Sequence, residues 1–239
     1  MNISDNVAAV IEKVNAAALR SGRTPEDISI VAATKMNDAP AIQAAISAGI
    51  KICGENRVQE MTEKLPLGAY SGADLQFIGH LQKNKVKNVV GVCSLIQSVD
   101  SPDLLRAIGR IASAKGLRQD VLLEVNIAGE ESKSGMAPSA LPGILAEAGS
   151  VEGIRVRGLM AIPPVCSNPE ENRPFFQQMR KLFVDIGQKK YDNVLMDFLS
   201  MGMTNDYETA IECGSNMVRI GTGIFGPRNY GGTGNGFNG

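Results

Sequence analysis

Short apolar runs alternate with amphipathic stretches along almost the whole chain. The opening stretch sets Val7, Val10, Ile11, Val14 and Ala18 on one face, the spacing of an amphipathic helix. Residues 28–34 then form a run with the length and β-branched content of a buried strand. A helix around Ile42, Ala45 and Ile46 is expected to stop with Gly49 at its C′ position. Further strands are predicted at 50–53, 75–78, 95–99, 121–125, 154–160, 194–199 and 216–220. Between them lie a polar helix after Asn56, a basic one at 83–87, and one opened by Ser101 at N-cap and Pro102 at N1. Others follow around Leu141, Ile144, Leu145 and Ala148, after Asn168-Pro169, and at 207–211.

Eight β-then-α units behind an N-terminal helix, in a length suited to one barrel, predict a single (β/α)8 TIM barrel of the α/β class with an extra helix at its start. The rival is a doubly wound open sheet, which usually carries a glycine-rich phosphate loop after its first strand. Here that position holds Thr34-Lys35-Met36-Asn37, which favours the barrel. One domain is expected over residues 1–228, with 229–239, mostly Gly, Asn and Thr, as a flexible tail.

Composition narrows the partners. The 239 residues carry a formal net charge of −1, so binding to nucleic acid or to an acidic membrane surface is not expected. Cys53, Cys93, Cys166 and Cys213 show no C-x-x-C spacing, and His80 is the one histidine, so buried free thiols are expected rather than a zinc site. No secretory signal and no run of transmembrane length is visible, which points to a soluble, cytoplasmic protein. The outer helix faces carry no large apolar patch, and a monomer is expected.

In a parallel barrel the carboxyl ends of the strands meet on one face, and that face carries the chemistry. Lys35, Asn56, His80, Asp100, Asn126, Met160, Ser200 and Arg219 stand at the predicted ends and would ring one pocket. Burial lowers the pKa of a lysine towards a neutral amine, a nucleophile for aldehydes and ketones. The alternative for Lys35 taken alone is a strand-end lysine reaching to solvent. After the last strand, Gly221-Thr222-Gly223 exposes backbone N–H groups where barrels commonly hold phosphate, with Ser200 and Thr204 as added hydroxyl donors. The alternative there is a tight turn. An amine opposite an anion site points to an aldehyde that carries a phosphate, such as pyridoxal phosphate or a sugar phosphate.

The chain resembles the pyridoxal phosphate homeostasis proteins, also called proline synthetase co-transcribed homologues. The resemblance rests on Ala33-Thr34-Lys35, the stretch 53–60 (CGENRVQE), 77–85 (FIGHLQKNK), Ser98-Val99-Asp100, 124–127 (EVNI), Lys133-Ser134-Gly135, 157–160 (RGLM), 199–203 (LSMGM) and 218–222 (VRIGT). It implies the fold-type III barrel of alanine racemase and a cofactor joined to Lys35 as an internal aldimine. It also implies a phosphate near Ser200, Thr204, Gly221 and Thr222, Arg219 beside the pyridine nitrogen, and Asn56 lining the pocket. His80 is counted among the cofactor-contacting groups, as a hydrogen-bonding or orienting side chain. Two positions depart from the family: Gln97 stands where many members have histidine, and Thr204 where serine is usual. Gln97 is expected to touch only the pocket edge, and Thr204 keeps the hydroxyl.

These residues predict little or no catalysis. Guanidinium has no acceptor lone pair and stays protonated, so Arg219 cannot pass a formal proton to the pyridine nitrogen, and the ring is a weak electron sink. A two-sided racemase also needs an acid on the second cofactor face. In alanine racemase a tyrosine of a separate β-domain supplies it, and residues 1–239 leave no room for such a domain. None of Tyr70, Tyr191, Tyr207 and Tyr230 falls on a predicted strand end. The expected function is therefore intracellular pyridoxal phosphate homeostasis, in which the cofactor is carried and handed to apo-enzymes. The alternatives are a slow amino-acid racemase or decarboxylase, a Schiff-base aldolase, and a regulatory protein that the cofactor only stabilises.

Overall fold

The computed structural model describes residues 2–130 and 132–227. Eight parallel strands close into a barrel in sequence order. They are β1 (Ser29–Ala33), β2 (Ile52–Glu55), β3 (Asp74–Phe77), β4 (Leu95–Val99), β5 (Gln119–Val125), β6 (Ile154–Ala161), β7 (Val194–Met203) and β8 (Met217–Ile220). β8 returns to pair with β1, Arg219 standing opposite Val31. This is the predicted (β/α)8 architecture. The expected tail, 229–239, and Tyr230 lie outside the described residues.

Among the described residues eight α-helices surround the strands: α1 (Ile3–Arg20), α2 (Ala39–Ser47), α3 (Val58–Lys64), α4 (Pro102–Ala114), α5 (Leu141–Ala148), α6 (Arg173–Gly187), α7 (Tyr207–Glu212) and α8 (Thr222–Phe225). Caps follow the local chemistry. Asn2 accepts from the Asp5 amide at the start of α1 and Ser101 from Leu104 at the start of α4, which satisfies backbone donors that have no partner within a helix. Gly49 follows α2 with φ +119, where a side chain would be strained.

Two apolar layers result. Val31, Ile78, Leu95, Leu122, Met160 and Met217 fill the barrel interior, and a larger shell lies between the strands and the helices. α1 buries Val7, Val10, Val14, Ala17 and Ala18 among Ile50, Ile211, Val218 and Ile224. It thereby covers the barrel face that the single-turn helix α8 is too short to cover.

Several predicted bounds move for physical reasons. β2 runs on through Gly54 and Glu55, since a Cβ at residue 54 would meet Val31 at 2.7 Å and Ile78 at 2.8 Å inside the barrel. The basic segment is a 3-10 helix, Lys83–Asn88, in which only Val86 is buried, too little apolar stripe to hold an α-helix. Asn168-Pro169 caps a 3-10 turn, Pro169–Asn172, that leads into α6. Gly221 is the N-cap of α8, so the glycine-rich stretch is a helix start as well as a turn. Among the described residues no helix is long and apolar enough to cross a membrane.

Candidate functional site

The end of β1 bends at once. The Asn37 amide donates to the Thr34 carbonyl at 3.2 Å, closing a turn with Lys35 and Met36 at its centre. Met36 has φ +63, a left-handed conformation uncommon for a bulky side chain. Lys35 is half-buried on the wall of a cavity of about 380 Å3. Asn56, just beyond β2, lines the same cavity. Gly79, beyond β3, passes so close to Asn56 that a Cβ there would overlap the Asn56 backbone.

The wall opposite in sequence comes from the ends of β7 and β8. The Thr204 hydroxyl accepts from the Gly221 and Gly223 amides, each at 3.3 Å. A Cβ at residue 223 would press on the Thr204 methyl at 3.2 Å, so the glycine lets this corner form. Thr204, Gly221 and Thr222 all line the cavity, and Lys35, Gly221 and Thr222 also line an adjoining cleft of about 230 Å3. With both amides accepted on its oxygen, the Thr204 hydroxyl keeps its own O–H to donate, and with the Thr222 hydroxyl beside it the corner suits an anion.

Arg219 lies at the cavity base, fully buried, donating to the Ala161 carbonyl at 2.8 Å and to the Ser200 hydroxyl. Burial lowers its pKa to about 10, with Glu124 and Asp206 opposing the shift, so it remains a cation at neutral pH. Ser200 donates in turn to Gln97 Oε1 at 2.6 Å, and Gln97 Nε2 to Gln76 Oε1 at 2.7 Å. Gln97 is thus wholly inside the barrel, a correction to the pocket-edge position that the sequence predicts. Glu124 is buried on β5; desolvation and the neighbouring Asp100 raise its pKa to about 7, with Arg219 and His80 pulling the other way.

Of the predicted contacts, Lys35, Asn56, Thr204, Arg219, Gly221 and Thr222 are brought together around one cavity. Ser200 is not on its wall; it is buried behind Arg219 and orients that guanidinium. His80 is exposed and away from the cavity, with Nδ1 3.1 Å from Asp100 Oδ2. Asp100, Asn126 and Met160 also stay off the wall.

The sequence reading missed Cys166, Asn172 and Asp206, which also line the cavity. Asn172 donates to the Pro164 carbonyl at 3.0 Å and to Asp206 Oδ2 at 2.8 Å, tying the chain after β6 to the end of β7. Both arise outside the strands, so strand-end logic has no signal for them. Asn56 Oδ1 and Asn172 Oδ1 are buried without a hydrogen-bond partner, an acceptor surplus beside the donor-rich corner.

The family model described as alanine racemase, N-terminal domain, matches residues 6–229. A pyridoxal phosphate homeostasis protein of Aquifex aeolicus is 40% identical over 232 residues, 96% of this chain and 100% of that one. A crystal structure of an unknown protein from Bifidobacterium adolescentis superposes with a TM-score of 0.86 at 39% identity, covering 93% of this chain and 94% of that chain. The structure of PipY of Synechococcus elongatus with PLP bound superposes with a TM-score of 0.80 at 30% identity, covering 94% of this chain and 100% of that one.

Proposed function

The chain belongs to the family of alanine racemase N-terminal domains, and we propose that within it this protein binds pyridoxal 5′-phosphate and serves the homeostasis of that cofactor. The observation that carries this reading is one cavity lined by the Lys35 side chain, the Thr204–Gly221 corner and the buried Arg219 guanidinium. The residues fit the group. The Thr204 hydroxyl, oriented by the Gly221 and Gly223 amides, and the Thr222 hydroxyl would hold its phosphate at this corner, and Asn56 would line the ring. Arg219 would face the pyridine nitrogen, donating a hydrogen bond and keeping its own proton. When bound, the cofactor supplies an aldehyde that condenses with primary amines, and Lys35 is the amine this cavity offers. Ser200 contributes through Arg219, and His80 has no part in the site on this reading.

The same residues support a carrier with little or no turnover. Tyr70 is engaged with Glu55 outside the cavity, and neither Tyr191 nor Tyr207 lines it. Transfer to apo-enzymes, a monomeric state and a cytoplasmic location complete the proposal.

Reconstituted protein is expected to show a long-wavelength absorption band. Borohydride reduction and peptide mass spectrometry should place the adduct on Lys35. Lys35→Ala should lose band and adduct completely. A colourless wild type, or an adduct elsewhere, defeats the proposal. Sustained inversion of single amino acids by the loaded protein would replace the carrier reading with that of a racemase.

A further inference from the structure

Behind the turn that bears Lys35 lies a buried ionic cluster that the function has not yet used. The Lys64 ammonium is 12% exposed and lies 2.7 Å from Glu55 Oε1, 3.2 Å from Glu60 Oε2 and 3.0 Å from the Thr34 carbonyl. An ammonium has three N–H donors, and three acceptors surround this one. Glu60 Oε2 also accepts from the Met36 amide at 2.7 Å. Glu55, wholly buried, accepts on Oε1 from the Thr34 hydroxyl at 2.7 Å and from Tyr70 at 2.9 Å. Its other oxygen accepts from the Asn56 amide at 3.3 Å.

Both peptide units flanking Lys35 are therefore gripped from α3, and Glu55 of β2 holds the Thr34 side chain as well. The Thr34 carbonyl is held by Lys64, the Thr34 hydroxyl by Glu55 and the Met36 amide by Glu60. Met36 sits in a conformation that persists only when its surroundings enforce it. Burial resists ionisation of Glu60, but the Met36 amide and Lys64 outweigh it and hold the carboxyl below its ordinary range. Glu60 therefore meets the turn as an anion. A cluster built only to stabilise α3 would not need to converge on the two peptide groups around a single residue.

We propose that Glu60 and Lys64 are positioning residues that fix the Thr34–Asn37 turn so that the Lys35 amine is presented to the cavity. They touch no ligand and act only through the backbone on either side of Lys35. The inference rests on the reading of Lys35 as the amine that condenses with an aldehyde. In that step a C=N bond forms, the carbonyl oxygen leaves as water, and no oxidant or reductant is needed.

The test uses the full chain and separates presentation of the amine from affinity for the ligand. The first readout is the rate of adduct formation with pyridoxal 5′-phosphate. The second is Lys35 labelling of the apo-protein by trinitrobenzenesulfonate, followed by peptide mass spectrometry. The control is affinity for 4-deoxypyridoxine 5′-phosphate, which lacks the aldehyde. Glu60→Ala removes a partly exposed group and is expected to slow both rates at least about tenfold, as misplacement of a reacting atom does. Affinity for the control ligand should stay within about twofold, the range of a substitution outside the binding surface. Glu60→Gln keeps an acceptor for Met36 and should restore the rates.

If Glu60→Ala does not fold, Lys64→Arg decides. It keeps the buried charge but replaces a point donor by a planar fork, and should slow both rates similarly. Wild-type rates in a folded variant overturn the inference, and so does a matching loss of affinity for the control ligand. A wild type that forms no adduct on Lys35 overturns the reading beneath it. A normal wild type with unaffected variants overturns this inference alone.

Discussion

At the arc of the rim made by β7, β8, β1 and β2, polar strand-end groups face a cavity. On the arc from β3 to β5, residues of the same kinds bond to a neighbouring strand end or to the loop that follows. His80 meets Asp100, and Asn126 donates to the Glu130 carbonyl at 2.8 Å while its amide bonds the Met136 carbonyl at 2.9 Å. The cavity arc also has partners, but they come from behind: Glu55, Glu60 and Lys64 hold the turn around Lys35, and Ser200 and Ala161 hold Arg219. A polar residue at a strand end thus becomes a site group when something else satisfies its backbone and leaves its side chain directed at the opening. Where a neighbouring strand end or the following loop can satisfy it, it closes on that partner.

The two arcs meet electrostatically at Glu124, between Asp100 and Arg219, and the sharpest test lies there. Its folded pKa of about 7 lies above the ordinary 4.5. In that window the native state holds a proton that the unfolded state has released, so this group's stabilising contribution, complete below pH 4.5, is lost as pH rises to 7. Glu124→Gln cannot titrate. Urea unfolding at pH 5 and pH 8 should show it gaining on the wild type by up to about 3 kcal/mol at the higher pH. A pH-independent difference would mean that Glu124 is not strained by burial and Asp100.

On the cavity arc, Thr204→Val removes the oxygen on which the Gly221 and Gly223 amides converge. Affinity for pyridoxal 5′-phosphate, read by equilibrium titration, should fall about tenfold, or ~1.4 kcal/mol. Unchanged affinity would move the phosphate away from this corner. The smallest effect is expected on the other arc. His80 is exposed, with Nδ1 3.1 Å from Asp100 Oδ2, so His80→Ala should shift stability by under about 0.5 kcal/mol and leave cofactor affinity unchanged. A clear loss of affinity there would erase the distinction between the arcs.

The barrel was legible because its signals are local. Ile30, Val31 and Ala32 read as a strand and are one, and Ser101-Pro102 opens α4 as its capping chemistry requires. Six of the eight proposed contacts share one cavity for the same reason: strand order brings strand ends together. What sequence alone could not supply is direction. Gln97 and Ser200 alternate correctly for inward-facing positions, yet nothing local says that Arg219 lies between Ser200 and the cavity. Glu55 looks like a loop residue after a glycine, and only its burial among Thr34, Lys64 and Tyr70 explains why it belongs to β2. Lys64 four residues after Glu60 was the one visible hint of the cluster, and that spacing is common on exposed helices.

The hydrogen bonds beneath the cavity point one way. Arg219 can only give protons, Ser200 passes the sense on to Gln97, Gln97 to Gln76, and Gln76 Nε2 ends on the Asp74 carboxylate at 3.3 Å. A chain with a pure donor at its head and a pure acceptor at its foot has no mirror arrangement to exchange with, unlike a ring of hydroxyls or amides alone. The barrel axis therefore carries a built-in arrow, and the guanidinium at its tip keeps a single heading for as long as that thread is unbroken.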